Sequence, residues 1–343
     1  MKLKTIQTSA FWSRIVESIN NSYYLKQLIA KSILALEHNP IYIELHYKRA
    51  LKKIQKLSGC LPSYLYIETT NFCNAKCIMC PHSKMRRPKG YMDMDLFKKI
   101  VDDAASIGIK TIGLVFMGEP LLDKRIFDRI KYIKDKNIRV VFNTNASLLS
   151  RDKSRKLIEN KLDQIIISFD AFKKRTYEKI RAGLDYDKVI ANIKSLIALK
   201  KEMRAKYPII ELTFVDVKVN HNEARLFYNF WKGKVDKVII SYVRDWATQV
   251  KVESEISPHI NLRMLQKNPC DSLWKDLVIT WDGKAVLCCN DYEGEIIMGD
   301  LTKQSILDVW NGKKFLYYRK MHMYNKRDIL PLCKKCLKYS FWW

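Results

Sequence analysis

The chain has 343 residues, 48% of them apolar and 11% aromatic, which is enough for a packed core in one long or two shorter domains and excludes an intrinsically disordered protein. Lys and Arg outnumber Asp and Glu by 62 to 36, a formal charge of +26, which favours acidic partners: phosphorylated or nucleotide-linked substrates, nucleic acid, or an anionic membrane surface. No apolar run is long enough to span a bilayer and the start, MKLKTIQTSAFWSRIVESIN, has no signal-peptide core, so a cytoplasmic location is expected and the nine cysteines do not read as a disulfide framework.

Residues 1–60 read as helices. Ile15 and Ile19, then Leu25, Leu28, Ile29 and Ile33, and after Pro40 the series Ile43, Tyr47, Leu51, Ile54 and Leu57 recur at three- and four-residue steps, closed by Ser58-Gly59. This segment is expected to form a helical extension packed on the main domain. A basic amphipathic element making peripheral membrane contact is the rival, with Phe11-Trp12 in its favour.

Between residues 61 and 244 short apolar runs alternate with charged amphipathic ones. Strands are expected at Leu65–Thr70, Thr111–Met117, Ile138–Asn143, Gln164–Phe169, Ile209–Val219 and Lys237–Val243, with helices such as Asp95–Ile107, Ile126–Asp135, Asp152–Asn160 and Tyr186–Lys206 between them. That alternation predicts an α/β fold, a parallel sheet with right-handed crossovers curling into an open (β/α)6 barrel, with its chemistry at the C-terminal strand ends.

From residue 245 to 343 the rhythm changes to a small α+β region. Leu277-Val-Ile-Thr-Trp, Asp282-Gly283 and Lys284-Ala-Val-Leu-Cys288 read as a hairpin, followed by a short helix at Ser305–Trp310 and a terminal Cys333-Lys-Lys-Cys336. The tail Phe341-Trp-Trp343 either covers this region or is disordered.

Three cysteines at C-x3-C-x2-C spacing, Cys73, Cys77 and Cys80, follow the first strand. Three thiolates can hold three corners of a cubane iron–sulfur cluster and leave the fourth iron open. Zinc is the competing reading, and would recruit His82 or a distant cysteine as its fourth ligand. Cys270, Cys288, Cys333 and Cys336 form a second set, while Cys289 and Cys60 are left over.

In this order the motifs resemble the radical S-adenosylmethionine enzymes. Besides the cysteine triplet, Met117-Gly-Glu-Pro120 ends the second strand where that family has Gly-Gly-Glu-Pro, Asn143-Thr-Asn-Ala146 ends the third, and Ile167-Ser-Phe-Asp-Ala171 the fourth. The resemblance implies a 4Fe-4S cluster on Cys73, Cys77 and Cys80, with S-adenosylmethionine chelating its open iron and cleaved to a 5′-deoxyadenosyl radical that abstracts hydrogen from substrate.

It further implies that Gly118 and Glu119 lie along the methionine amino group, that Asn145 and Ser168 line the cofactor, and that Arg181 meets its carboxylate. Two departures from the family pattern stand out: Met79 precedes the third cysteine where an aromatic is usual, and Met117 replaces the first glycine. The second cysteine set resembles a SPASM region in its short "twitch" form, binding one auxiliary 4Fe-4S cluster.

The implied activity is a two-electron oxidation of a small-molecule, sugar-derived or peptide substrate, anionic if the net charge is a guide, with flavodoxin or ferredoxin as electron donor. An alternative is radical epimerisation with Cys289 as hydrogen donor; a remote one is a non-catalytic zinc protein binding nucleic acid. No nucleic-acid partner is expected under the leading reading.

Overall fold

The structure is a computed structural model that describes residues 39–57, 59, 61–242, 246–248 and 268–336. The helices expected before residue 39, Cys60 and the Phe341–Trp343 tail lie outside the described residues. The first described element is the helix Pro40–Leu57.

Six parallel strands follow, β1 (Tyr64–Ile67), β2 (Thr111–Leu114), β3 (Arg139–Thr144), β4 (Gln164–Ser168), β5 (Ile209–Asp216) and β6 (Lys237–Tyr242), each paired with the next in sequence order. Every expected strand is present, most of them shorter than the apolar run that signalled it. The helices between them are set by caps and apolar stripes. Asp93 accepts the N–H groups of Asp95 and Leu96 and starts Met94–Ser106, which buries Phe97, Ile100, Val101 and Ala104. Asp185 likewise caps Tyr186–Glu202, which buries Val189, Ile193, Leu196 and Leu199 at the same three- and four-residue steps.

Three further strands, β7 (Asp276–Ile279), β8 (Lys284–Val286) and β9 (Ile297–Asp300), extend this sheet into the order β6-β5-β4-β3-β2-β1-β7-β8-β9. The hairpin of β7 and β8 turns at Asp282-Gly283, where Gly283 sits at φ +81°. Strand β7 runs parallel to β1, Leu65 opposite Leu277 and Ile67 opposite Ile279. The C-terminal region therefore adds to the exposed edge of the first strand, a pairing that the local hairpin signal does not reveal.

Two C-terminal helices, Ile306–Trp310 and Lys313–Met323, cover this part of the sheet. The helix Pro40–Leu57 packs against the C-terminal region: Tyr47 donates its hydroxyl to the Met323 carbonyl at 3.0 Å, at the end of the second of these helices, and Asn268 Nδ2, ahead of β7, donates to His46 Nδ1 at 2.9 Å. Among the described residues no helix is long and apolar enough to cross a membrane.

Candidate functional site

The ends of β1 to β4 carry the predicted residues side by side, because parallel strands in sequential order put their C-terminal loops along one rim. The loop leaving β1 is fixed from both sides. Asn71, fully buried, donates to the Pro88 carbonyl and accepts the Gly90 N–H. The N–H groups of Lys76 and Ile78 bond to the carbonyls of Ala182 and Ile180, so the cysteine loop lies against the turn that contains Arg181. His82 donates from Nε2 to the Asn71 carbonyl at 2.8 Å; it ties the loop together.

Cys73, Cys77 and Cys80 sit on this loop, Cys77 buried and the other two half-buried. Burial pushes the Cys73 thiol up to about 12, and Glu119, Cys77 and Cys80 add to the rise. Burial pushes Cys80 up to about 11, again with Cys77 adding to it. Cys73 and Cys80 are thus costly to ionise, and a cationic ligand that needs thiolates removes that cost. The donor set fits an iron–sulfur group.

Gly118 follows β2 with its backbone against the loop after β1. A Cβ there would collide with the Thr70 carbonyl oxygen and crowd that of Phe72, so no other residue fits without a backbone shift. The Glu119 N–H donates to the Phe72 carbonyl at 2.8 Å. Its carboxylate is fully buried and accepts from Leu121 N (3.1 Å), Thr144 Oγ1 (2.8 Å) and Asn145 N (2.7 Å). Burial raises its pKa and these bonds oppose the rise. Glu119 is thus the brace that locks the end of β2 to the end of β3.

Asn145 is braced in turn. Its Nδ2 donates to Asn74 Oδ1 at 3.0 Å, its Oδ1 accepts from Ser147 N and Oγ, and Asn74 Nδ2 donates to Ser147 Oγ at 2.8 Å. Asn74 lies between Cys73 and Cys77, so this network ties the cysteine loop to β3. Ser168 ends β4 half-buried. Two residues on, Asp170 is fully buried at φ +67°, accepts the Val215 N–H at 2.7 Å and is ion-paired with Arg181 Nη2. Arg181 Nη1 donates to Cys77 Sγ at 3.4 Å, and its Nε has no hydrogen-bond partner among the described residues.

Sequence reading missed Glu68. This buried carboxylate just beyond β1 takes both Nη groups of Arg87 and the N–H groups of Met117 and Trp281, and so joins the ends of β1, β2 and β7. Arg87 continues to the Tyr292 carbonyl at 2.7 Å. Met85, Met117 and Tyr292, with Phe116, Trp246 and Cys80 against them, form an apolar wall from the first cysteine set toward the loop after Cys288. Trp246 donates its indole N–H to the Met79 carbonyl at 3.0 Å and meets the Tyr292 ring edge-on at 6.2 Å.

The second cysteine set also comes together. The Cys288 thiol is pushed well up, by burial first and then by Cys289, Cys336, Cys333 and Cys270. Burial raises Cys333 too, with Cys270 adding to it. Four thiols from distant positions, Cys333 and Cys336 buried and Cys270 and Cys288 half-buried, lie near enough to influence one another and again suit an iron–sulfur group. Around them stand polar residues that no spacing rule marks. Asn290 Nδ2 donates to Cys336 Sγ at 3.1 Å. Arg327, buried, holds the carbonyls of Cys333 (2.9 Å) and Cys336 (2.7 Å). His322 Nδ1 accepts the Cys270 N–H at 3.1 Å. Cys289 is half-buried beside Cys288.

Comparison with known proteins bears on both halves. The family model described as the radical SAM superfamily matches residues 67–208, and that of SPASM, an iron-sulfur cluster-binding domain, matches residues 270–337. The chain is 26% identical over 318 residues to the tungsten-containing aldehyde ferredoxin oxidoreductase cofactor-modifying protein of Pyrococcus furiosus, covering 80% of this chain and 86% of that one. It is 23% identical over 287 residues to the S-adenosyl-L-methionine-dependent 2-deoxy-scyllo-inosamine dehydrogenase of Niallia circulans, covering 81% and 94%. Among solved structures, Streptococcus suis SuiB bound to precursor peptide SuiA shares its fold with a TM-score of 0.63 at 14% identity, over 78% of this chain and 69% of that one.

Proposed function

The chain belongs to the radical SAM superfamily and carries a SPASM domain, and from that premise we propose that it catalyses the two-electron oxidation of a small-molecule or peptide substrate. Membership brings S-adenosylmethionine and 4Fe-4S clusters, an auxiliary one included. In this reading residues 61–244 are the radical SAM core and 245–343 the auxiliary domain, with 1–60 as an extension.

Cys73, Cys77 and Cys80 would hold the first cluster, and Cys270, Cys288, Cys333 and Cys336 the auxiliary one. When bound, these groups supply hydrogen-atom abstraction at the first site and a one-electron acceptor at the second. The chain's own residues do the positioning. Glu119 has its carboxylate committed to Leu121, Thr144 and Asn145, so its part is to hold the Gly118 backbone and the strand ends where the methionine moiety lies. Ser168 would lie near the ribose. Arg181, with both Nη groups engaged, would offer Nε to the carboxylate.

The observation that supports oxidation is the meeting of four thiols, two buried and two half-buried, a set that saturates a cubane and so suits electron transfer over substrate binding. The dehydrogenase relative, matched over 81% of this chain, supports it too. The apolar wall of Met85, Phe116, Met117, Trp246 and Tyr292 between the two cysteine sets would exclude water from the substrate radical. It also argues for an uncharged portion of the substrate at that point, whatever the net charge attracts from a distance.

Epimerisation with Cys289 as hydrogen donor is the second reading, since that thiol is half-buried. The test is turnover in D2O by anaerobically reconstituted enzyme with candidate compounds and peptides encoded near its gene. Oxidation gives a product two hydrogens lighter with no solvent deuterium at the new centre, and leaves Cys289→Ala active. A product of unchanged mass apart from one deuterium would overturn oxidation in favour of epimerisation.

A further inference from the structure

The two cysteine nests are wired differently. At the first, Arg181, whose charge is offset by the buried Asp170, donates to Cys77 Sγ, and the backbone N–H groups of Ala75 and His82 donate to Cys73 and Cys80. At the second, the donor is the neutral amide of Asn290, on Cys336 Sγ at 3.1 Å, and the buried guanidinium of Arg327 stands behind it on the Cys333 and Cys336 carbonyls. His322 adds to this side. Because its Nδ1 accepts the Cys270 N–H, its ring proton is on Nε2, which is buried and has no hydrogen-bond partner among the described residues.

An N–H···S bond stabilises the more negative of two redox states more, and so raises the reduction potential of the centre that receives it. On the reading that Cys270, Cys288, Cys333 and Cys336 are the auxiliary ligands, we propose that Asn290 raises this cluster's reduction potential, through Cys336 Sγ, in the direction that taking up an electron requires. Arg327 holds the Cys333-Lys-Lys-Cys336 turn so that Cys336 Sγ meets the amide. The one electron taken up at the second site is then the one a substrate radical must lose to become a closed-shell product, with the accompanying proton leaving to solvent or a base. Asn290 acts through the ligand and is a positioning residue, not a catalytic one.

The test is an EPR-monitored redox titration of the full chain, reconstituted anaerobically. The Cys73→Ala/Cys77→Ala/Cys80→Ala variant identifies the auxiliary signal. Asn290→Leu keeps the branched shape and removes the donor. It should make the auxiliary centre about tenfold harder to reduce, a fall of about 59 mV for one electron, without moving the first centre, and Asn290→Gln should restore part of the shift. An unmoved potential with iron intact overturns the proposal. In the unmutated protein, asparagine labelled with 15N in the side chain should couple to the reduced auxiliary centre in pulsed EPR. Absence of that coupling overturns the proposal even if Asn290→Leu loses its cluster. A Cys336→Ala protein that keeps all its iron would sink the ligand assignment instead, so the two failures are told apart.

Discussion

Asp170 and Arg181 are ion-paired out of contact with bulk water, the carboxylate fully buried and the guanidinium nearly so. Burial raises the Asp170 pKa, and Arg181 is the largest influence opposing that rise. Arg181→Met should therefore leave an unpaired buried carboxylate and cost ~3–5 kcal/mol at neutral pH. The sign of its pH dependence follows. With the guanidinium gone the folded-state pKa lies further above the unfolded value, so the folded form binds a proton that the unfolded form has released. Relative to wild type, the variant's stability should recover as pH falls from about 7 toward the ordinary Asp range near 4. Urea unfolding at several pH values checks this, and Asp170→Asn in the same chain should flatten the slope. A deficit that is independent of pH would refute it.

Gly118→Ala places a methyl group against the Thr70 and Phe72 carbonyl oxygens. Both are backbone atoms, which cannot swing aside as a side chain would. The variant should lose ~1–3 kcal/mol of stability and bind S-adenosylmethionine at least tenfold more weakly, measured by calorimetry on reconstituted protein. Unchanged affinity would show that the strand end tolerates more movement than its packing implies.

Glu119 accepts three donors, and its variants should rank by how many they strand. Glu119→Gln turns one amide donor toward other donors, at a cost of ~1–3 kcal/mol. Glu119→Ala removes the acceptor of all three donors and should cost more. The ranking is read from chemical denaturation of the apoprotein, so that it does not depend on cluster content. Equal losses would mean that the carboxylate does not brace the strand ends.

Iron content separates the two cysteine sets. Reconstituted wild-type protein should hold about eight irons, and Cys77→Ala and Cys336→Ala should each retain about four, because the two sites share no ligand. If either single change emptied both sites, the sets could not be independent.

The six parallel strands were legible because each is a short apolar run between amphipathic stretches with visible caps such as Asp93 and Asp185. The helix Lys313–Met323 was not. Its buried face is Phe315, Tyr318, Arg319 and His322, and an arginine and a histidine inside a core hide the apolar stripe that marks a helix. Arg319 lies there over the Trp310 ring at 4.2 Å and donates to the Leu273 and Trp310 carbonyls.

The site divides in the same way. Cysteines announce themselves by spacing, whereas Glu68, Asn71, Arg87, Asn290 and Arg327 look like surface residues until the fold buries them. The chemistry-bearing groups could be read locally; the groups that hold them could be found only once distant segments had met.

The parallel pairing of β1 with β7 also bears on how the protein is made. Leu65 and Leu277 are neighbours in one sheet although more than two hundred residues separate them in the chain, and closing so long a loop is slow. During synthesis β1 is among the first strands to leave the ribosome, and its outer edge has no partner until β7 follows. An open edge is a site of wrong pairing. The cysteine loop on that strand would thus wait for the last quarter of the chain, so cluster loading should come late, on a chain that has been fully synthesised.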